Sequence, residues 1–286
     1  MPGRQINGIL KGKSFQDLFI PTIKLKAFTL LERVRTQSPV VHHLTNWVTI
    51  YDCAQVVKVM GASPVMAHAQ EEVEEMVRLA AALVLNIGTL TVEMVEAMKL
   101  AARGANARGI PVILDVCGAG ATAFRDRKSF ELLDEVRIDL IKGNASEMAR
   151  ISGAQVRTRG VDAAPVALDL EEVGQSLALR RQCTAVITGP EDLVVDGSRR
   201  FVVKNGHPLM SRVVGTGCMA ASVIGAFAAV EPDLAVAAAA GLICFNVAGE
   251  LAAELSPGAG SFKVKLFDCL EALDEATLAE RRRVSG

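Results

Sequence analysis

A repeated alternation of short apolar runs with longer amphipathic runs constrains the fold of this chain more than any other feature. Five of the short runs have the length and composition of buried strands: 40–44, 83–87, 112–116, 138–142 and 185–188. Two of the longer runs, 90–107 and 169–181, carry the periodicity of amphipathic helices. Such alternation is typical of parallel βαβ units whose helices cover both faces of a sheet. We predict an α/β fold, a three-layer αβα sandwich with a mostly parallel central sheet.

Two further runs predict a change of strand direction at one edge of this sheet. Residues 193–195 and 201–203 are rich in valine, and the dipeptide Asp196-Gly197 lies between them. Asp-Gly between strand-like runs is a strong signal for a β-hairpin. We therefore expect the sheet to end in antiparallel strands.

A capped helix is predicted directly after the first strand. The side chain of Thr45 or of Asn46 can accept a backbone N–H group at the start of a helix, and residues 47–60 have helical periodicity. Gly61 then favours the end of that helix.

The beginning of the chain differs from the rest. Its first residues carry no clear periodicity, whereas a helical stripe that includes Ala27 and Leu30 begins after Pro21. From there onward no linker, repeat or low-complexity tract divides the sequence. We predict an N-terminal arm over residues 1–23 and a single domain over residues 24–286.

Composition excludes several classes of function. Half of the 286 residues are hydrophobic and 22% are charged, which supplies a large core and argues against intrinsic disorder. The 31 basic residues nearly balance the 32 acidic ones, so the chain lacks the net positive charge typical of proteins that bind nucleic acid or anionic membranes. We expect small-molecule partners, and neither a nucleic acid nor a membrane partner.

Neither a targeting segment nor a disulfide framework is evident. Residues 1–19 contain no apolar run of the kind that a signal peptide or membrane anchor needs. The longest apolar region, 219–253, is interrupted by charged residues, which favours two buried helices. The six cysteines are dispersed along the chain: Cys53, Cys117, Cys183, Cys218, Cys244 and Cys269. We expect them to be reduced in a cytoplasmic protein.

Unusual residues follow three of the predicted strands, and a fourth group precedes a long apolar helix. Ligands of open α/β sheets bind at the carboxyl ends of strands. The four groups are Asp115 with 118–122, Lys142-Gly143-Asn144 with Glu147, Thr188-Gly189, and Gly215-Thr216-Gly217-Cys218. Asp115 and Glu147 are candidates to hold Mg²⁺, directly or through water, and Lys142 supplies a cation for a phosphate. The alternative interpretation is that each acid is a helix cap or a solvated carboxylate, and that Lys142 is an exposed lysine without a ligand.

The group at residues 215–218 predicts an anion site. Two glycines around a threonine at a helix start expose consecutive backbone N–H groups at the positive end of the helix dipole. This arrangement suits a phosphoryl group in transfer. It is not a P-loop, because no Gly-Lys-Ser/Thr follows. The alternative interpretation is a tight turn without a ligand.

Competing motifs are weaker. Residues 118–123 match the dinucleotide fingerprint formally, but the next strand ends in Lys142-Gly143 where that fingerprint requires an acid, which disfavours a dehydrogenase. The adjacent His42 and His43 would point to opposite faces of a strand and so would not share a metal. No Gly-x-Ser-x-Gly, His-Glu-x-x-His or Cys-x-x-Cys motif occurs, which disfavours hydrolase, zinc protease and redox functions.

Six motifs follow one another along the chain: Thr45-Asn46, 61–66 (GASPVM), 85–90 (LNIGTL), Asp115 with 118–122 (GAGAT), Gly143-Asn144-x-x-Glu147 and 215–218 (GTGC). Together they resemble the motifs of the hydroxyethylthiazole kinase family of thiamine biosynthesis. The resemblance covers residues 42–273 and implies a ribokinase-like fold with ATP and Mg²⁺ as partners. It implies transfer of the γ-phosphoryl group to the primary hydroxyl of 4-methyl-5-(2-hydroxyethyl)thiazole. It also implies a homotrimer with each site at a subunit boundary.

The same resemblance implies roles for individual residues. The implied set comprises the thiazole-pocket residues Asn46, Met66 and Gly215, the ATP-binding residues Lys142 and Thr188, the metal-associated acids Asp115 and Glu147, and the catalytic Cys218. Asn144 and Gly217 complete the predicted cofactor-binding set. On composition alone, Met66 and Cys218 would be interpreted as buried apolar residues. A helix N-terminus lowers a thiol pKa, so Cys218 is predicted to orient the alcohol or accept its proton.

Two departures from the family pattern leave other functions open. Val116-Cys117 stands where the family usually has Pro-Val, which is expected to loosen the loop, and Lys142 stands where it usually has Arg, which is expected to weaken contacts with ATP. The alternatives are a kinase of the same fold for another alcohol such as hydroxymethylpyrimidine, a hydrate dehydratase, and a catalytically weak relative that binds thiazole or nucleotide.

Overall fold

A nine-stranded sheet runs through the part of the chain that the computed structural model describes, residues 27–153 and 169–286. Its strand order is β2-β1-β3-β4-β5-β6-β7-β8-β9. The strands are β1 (Val40–Leu44), β2 (Ser63–Val65), β3 (Ala82–Asn86), β4 (Val112–Asp115), β5 (Leu140–Asn144), β6 (Thr184–Thr188), β7 (Asp192–Asp196), β8 (Arg199–Val203) and β9 (Val284–Ser285). Every pair from β2 to β6 is parallel, and the pairs from β6 to β9 are antiparallel. The predicted mostly parallel sheet with an antiparallel end is confirmed.

Helices lie on both faces of this sheet. Those in the described residues are α1 (27–37), α2 (Ile50–Val59), α3 (Val73–Leu79), α4 (Val92–Arg108), α5 (Ala123–Glu135), α6 (Ala145–Ile151), α7 (Leu170–Arg181), α8 (Thr216–Ala228), α9 (Leu234–Glu254), α10 (Ala259–Glu271) and α11 (Glu275–Arg281). One core contains apolar residues of α1, α2, α8, α9 and α10, and a second contains those of α3 to α7. The three-layer αβα sandwich is therefore confirmed.

Alternate residues of each central strand divide between the two cores. Val84 of β3 belongs to the first core, whereas its neighbours Leu83 and Leu85 belong to the second. The same alternation places Ile113 of β4 opposite Leu114. Because successive side chains of a strand point to opposite faces, a run that is apolar at every position must be covered on both sides.

The apolar region 219–253 forms most of α8 and α9, as predicted, and both helices are buried. By length and composition α9 could cross a membrane. However, 83% of its most apolar window is buried inside the protein, which is typical of a core helix. Its high apolar content therefore reflects contact with the sheet and neighbouring helices on nearly all sides.

One predicted helix start is wrong by almost a full turn, and one predicted segment lies outside the described residues. The helix after β1 begins at Ile50, so the predicted start at residue 47 is wrong by three positions. The reason is that Asn46 Oδ1 accepts the backbone N–H groups of Val48 and Thr49, which forms a turn before the helix. The predicted arm over residues 1–23 falls outside the described residues.

Candidate active site

Five polar residues lie side by side where the parallel strands end. Asn86 of β3 pairs in register with Asp115 of β4, and Asp115 pairs with Lys142 of β5. Asn144, the last residue of β5, pairs with Thr188 at the end of β6. Strand register therefore assembles a polar row at the carboxyl edge of the sheet, the place where ligands of such sheets bind.

A continuous network of polar contacts joins this row to the start of α8. The Lys142 ammonium lies 3.3 and 3.4 Å from the two carboxylate oxygens of Asp115, and Asn86 Nδ2 donates to Asp115 at 2.8 Å. Asn46 Nδ2 donates to Asn86 Oδ1 at 3.0 Å and lies 3.3 Å from Cys218 Sγ. All five residues are buried. The predicted residues Asn46, Asp115, Lys142 and Cys218 are thus brought together.

Burial and mutual attraction set the charges of the ion pair. Burial raises the pKa of the Asp115 carboxyl, and the Lys142 ammonium is the main opposing influence. For Lys142, burial lowers the pKa, but the carboxylates of Asp115 and Glu147 outweigh it and hold the pKa above its ordinary value. Lys142 therefore keeps its proton and supplies a fixed positive charge inside the site.

The turn ahead of α8 requires glycine at position 215. Gly215 has a φ of +96°, and a Cβ atom there would lie 2.6 Å from Cγ2 of Thr49. Two positions on, a Cβ atom at Gly217 would lie 3.2 Å from Lys142 Nζ. The first turn of a helix leaves backbone N–H groups without partners inside the helix. The positive end of α8 and the Lys142 ammonium therefore converge on one place, which favours an anion.

The Cys218 thiol has an environment that stabilises its thiolate. Interaction with the Cys117 side chain is the largest cause that lowers the pKa of Cys218 to about 7. Burial opposes the change, and the Lys142 ammonium assists it. The pKa of Cys117 itself is raised. Of the two thiols, Cys218 is therefore the one that ionises near neutral pH.

Glu147 anchors the loop after β4 to the start of α6. Its Oε1 accepts the backbone N–H of Gly118 at 2.7 Å, and its Oε2 accepts that of Asn144 at 2.7 Å. Asn144 in turn accepts the backbone N–H of Glu147, which completes a capping box. These hydrogen bonds, together with the bond from Gly120 to Asp126, hold the loop without a proline.

The carboxylates of Asp115 and Glu147 are the candidate metal ligands. Among the described residues, no group of three or more histidine, cysteine, aspartate and glutamate side chains is arranged to hold a metal ion. A pair of carboxylates nevertheless fits Mg²⁺, which usually keeps water ligands and binds one or two carboxylates together with substrate phosphates. Such a site would be completed by the substrate.

A cavity of about 550 Å³ opens beside the start of α8. Asn144, Thr188 and Gly217 line it, so three of the four predicted cofactor-binding residues share one space. Leu242 and Phe245 of α9 contribute an apolar wall. This size and this mixture of apolar and polar lining are typical of small-molecule sites.

The cavity also contains a buried acid. Asp192 lines it and accepts hydrogen bonds from Asn246 Nδ2 at 2.7 Å and from the backbone N–H of Gly189 at 3.0 Å. Burial raises its pKa to about 6. At neutral pH the Asp192 carboxylate therefore adds negative charge to the polar side of this cavity.

Met66 lies apart from this network. It follows β2, which pairs with β1, so it stands at the same edge of the sheet as Asn46, and it is half-buried. The nearby Trp47 ring packs edge-on against the ring of His68, with 4.6 Å between their centroids. Asn46 and Gly215, by contrast, both lie next to Thr49.

Sequence reasoning missed two residues of the site. Asn86 belongs to the 85–90 motif, which by itself assigns this residue no role. Arg125 of α5 donates to the carbonyl oxygens of Ile87, Gly88 and Cys117 at 2.7–3.2 Å and so ties two loops of the site together. The polar residue at the end of an apolar strand was the available signal for Asn86; nothing local distinguishes Arg125 from other helix-surface arginines.

The fold places the chain in the ribokinase-like class. A solved ribokinase-like superfamily protein from Enterococcus faecalis shares the fold, with a TM-score of 0.59 and 16% identity over 81% of this chain and 84% of that chain. The solved structure of hydroxyethylthiazole kinase protein from Pyrococcus horikoshii is more similar. Its TM-score is 0.83 at 39% identity, over 91% of this chain and 98% of that chain.

Sequence comparison then identifies the family. The model of the hydroxyethylthiazole kinase family matches residues 31–276. A hydroxyethylthiazole kinase from Methanosarcina mazei is 52% identical over 238 residues, which are 83% of this chain and 91% of that relative. The chain belongs to the hydroxyethylthiazole kinase family and is a phosphotransferase. The resemblance inferred from the motifs is confirmed.

Proposed function

We propose that the protein transfers the γ-phosphoryl group of ATP to the primary hydroxyl of 4-methyl-5-(2-hydroxyethyl)thiazole, with Mg²⁺ as cofactor. The observation that carries the proposal is the convergence of Cys218, the positive end of α8 and the Lys142 ammonium at one point of the sheet edge. A thiolate can receive a proton there, and the two positive groups can stabilise phosphate oxygens.

The acceptor alcohol is proposed to bind on the Asn46 side of Cys218. Asn46 and Gly215 are proposed to line this side, with Met66, which follows the neighbouring strand β2, as the third acceptor-binding residue. As the hydroxyl oxygen forms its bond to the γ-phosphorus and the bond to the β-phosphate oxygen breaks, the hydroxyl proton passes to Cys218 Sγ. ADP leaves, and the thiazole carries the phosphate. Because this transition state is loose, positioning matters more than the strength of the base.

The nucleotide is proposed to occupy the cavity beside α8. Asn144, Thr188 and Gly217 line that cavity, and Leu242 and Phe245 offer an apolar surface for an aromatic base. The triphosphate would point from the cavity toward the N–H groups at residues 216–218. Lys142, below that turn, would neutralise phosphate charge as a point cation rather than as a bidentate fork.

Asp115 and Glu147 would hold Mg²⁺ directly or through water. When bound, the ion neutralises phosphate charge and fixes the phosphate geometry. Glu147 also holds the loop and the start of α6 in place through its two backbone hydrogen bonds.

The site is further proposed to lie at a boundary between copies of the chain in a cytoplasmic homotrimer. An exposed apolar patch, formed by Trp47, Val48, Tyr51 and Val214, borders the acceptor side. Its members are 49–73% exposed, and Val214 precedes Gly215, which packs against Thr49. Exposed apolar patches of this kind mark interaction surfaces.

A coupled assay tests the proposed activity. Purified protein with the thiazole alcohol, ATP and Mg²⁺ is expected to release ADP and to form one thiazole phosphate per ADP, measured by mass spectrometry. Parallel reactions contain hydroxymethylpyrimidine or a hydrated nicotinamide cofactor instead. Preferred turnover of either of those compounds, or binding of the thiazole without turnover, would contradict the proposal.

A further inference from the structure

The side chain of Asn86 forms hydrogen bonds with residues on both sides of the site. On one side its Nδ2 donates to Asp115 Oδ2 at 2.8 Å, and Asp115 contacts Lys142. On the other side its Oδ1 accepts from Asn46 Nδ2 at 3.0 Å, and Asn46 contacts Cys218. The Asp115 side belongs to the phosphate half of the proposed site, and the Asn46 side belongs to the acceptor half.

Surrounding backbone groups fix which way the two amides point. Asn46 Oδ1 accepts the backbone N–H groups of Val48 and Thr49 at 3.1 and 3.0 Å. Asn86 Oδ1 accepts the backbone N–H of Gly88 at 2.9 Å. A backbone N–H can only donate, so each of these side-chain atoms must be the amide oxygen. Both NH₂ groups are therefore directed along the network, one toward Asp115 and the other toward Asn86 and Cys218.

The fit around Asn86 leaves little room for an alternative arrangement. Asn86 and Asn46 are 2% and 3% exposed. A Cβ atom on Gly88 would lie 3.0 Å from both Asn46 Cβ and Asn86 Oδ1, so the backbone of Gly88 also confines the two amides. Loss of any partner would leave a buried polar group without a hydrogen bond, which is energetically unfavourable.

We propose that Asn86 is a positioning residue that fixes the distance and orientation between the phosphate half and the acceptor half of the site. It touches neither the proposed nucleotide cavity nor the thiol, and it acts through Asp115 and Asn46. This inference rests on the proposed role of Cys218. A displacement of about 1 Å between reacting groups can reduce a rate by about 10²-fold, so a rigid link between the halves has a direct effect on turnover.

The expected kinetic signature is a loss of kcat without loss of binding. Asn86→Leu has a similar size and removes the three hydrogen bonds. Each half keeps its other contacts, so the KM values for ATP and for the thiazole alcohol should stay within about threefold, whereas kcat should fall about 10- to 100-fold. Unchanged kcat, or an increase in KM at constant kcat, would overturn the proposal.

A double-mutant cycle separates positioning from a general structural effect. If Asn86 acts through Asn46, the variant that combines Asn86→Leu with Asn46→Ala should be no slower than the slower single variant. Effects on kcat that multiply would contradict the link.

Asn106→Leu serves as a matched control. The Asn106 amide also bridges two segments, through two hydrogen bonds with the backbone of Arg137, but it lies far from the site. This variant should lose stability with kcat unchanged.

Two additional variants keep the test decisive. If Asn86→Leu does not fold, Asn86→Asp replaces it: it keeps an acceptor for Asn46 and Gly88 but places an oxygen against Asp115, so it breaks only one half of the bridge. The same fall in kcat is expected, and wild-type kcat would overturn the proposal.

The Cys218→Ala variant is measured alongside. Wild-type activity in that variant contradicts the proposed catalytic role, whereas a loss there with wild-type kcat in the Asn86 variants refutes the positioning role alone.

Discussion

The Nδ2 atom of Asn46 lies 3.3 Å from the Sγ atom of Cys218, although 172 positions separate the two residues along the chain. Asn46 follows β1 and Cys218 belongs to the first turn of α8, so the contact requires the central sheet to place these two elements together. A side-chain amide that donates to sulfur stabilises the thiolate more than the thiol, because the charged form is the stronger acceptor. The contact therefore makes Cys218 suited to receive a proton from an alcohol.

Cys218→Ala is predicted to lower kcat by about 10²- to 10⁴-fold, which is the usual contribution of a general base. The KM for ATP should change little, because the proposed phosphate contacts come from the backbone of the same turn. Steady-state kinetics with both substrates measures this. Cys183→Ala is the matched control. Cys183 is also a buried free cysteine, but it lies just before β6, at the opposite end of that strand from the site residue Thr188. Activity of Cys218→Ala within a few-fold of wild type would remove Cys218 from the reaction.

Cys117→Val is predicted to raise the pKa of Cys218 above its value of about 7. The thiol of Cys117 is the largest cause of the lowered pKa, and valine fills similar space without a donor. The rate of Cys218 alkylation by iodoacetamide, followed by mass spectrometry against pH, should therefore shift to higher pH. At pH 7 it should fall roughly tenfold, and the two proteins should converge at high pH, where both are thiolates. Superimposed profiles would show that Cys117 has no such effect.

The central architecture could be predicted from the sequence because it depends on short-range patterns. Runs such as 112–116 are apolar at every position since β4 is covered on both faces, and this is visible without tertiary information. The edge strands β2 and β9 were not predicted. They have three and two residues, all half-buried, so their apolar signal is too short to be recognised.

The site was predictable only in part, because its contacts join distant segments. The residues at strand ends could be selected, and register brings Asp115 and Lys142 together as expected for parallel strands. The role of Asn86 depends on partners 40 and 29 positions away, Asn46 and Asp115. The interaction of Cys117 with Cys218 likewise follows from tertiary folding and not from any local pattern.

Glu147→Gln is predicted to have two separable effects. Both Glu147 oxygens accept a backbone N–H, and glutamine has one oxygen, so one of these bonds must be lost, at a cost of about 1–3 kcal/mol in the free energy of unfolding. If the carboxylate also helps to hold Mg²⁺, the half-saturating Mg²⁺ concentration in the kinase assay should rise as well.

The control for Glu147→Gln is Asp274→Ala, which removes a helix cap at α11, outside the proposed site. That variant should lose stability with an unchanged Mg²⁺ titration. If Glu147→Gln behaves in the same way, Glu147 is a structural cap and its proposed metal role is wrong.

Tyr51→Glu and Val214→Glu are predicted to dissociate the proposed homotrimer. Each places a charge in the exposed apolar patch, where burial against another copy would require its desolvation. Sedimentation velocity should show three chain masses for the wild type and one for the variants, and kcat/KM for the thiazole should fall with dissociation. Leu179→Glu is the control, because Leu179 is 59% exposed on α7 and lies outside the patch. A monomer with full activity would contradict a site at a subunit boundary.

His43→Asn is predicted to reduce the acid sensitivity of folding. His43 is buried in β1, where its Nδ1 donates to the carbonyl of Val41 at 3.0 Å while its Nε2 has no hydrogen-bond partner. Burial lowers its pKa from 6.5 to about 4. Between these two values the unfolded chain takes up a proton that the folded chain does not, so the free energy of unfolding decreases as the pH falls. Buried Asp192, whose pKa is raised to about 6, acts in the opposite sense over much of this range, so only the difference between variant and wild type is informative.

Asparagine at position 43 preserves a donor near the Nδ1 position and does not titrate. Urea titrations at pH 7 and pH 5 should show that the wild type loses about 2 kcal/mol more than His43→Asn over this interval. Equal losses in the two proteins would mean that His43 does not contribute to the pH dependence.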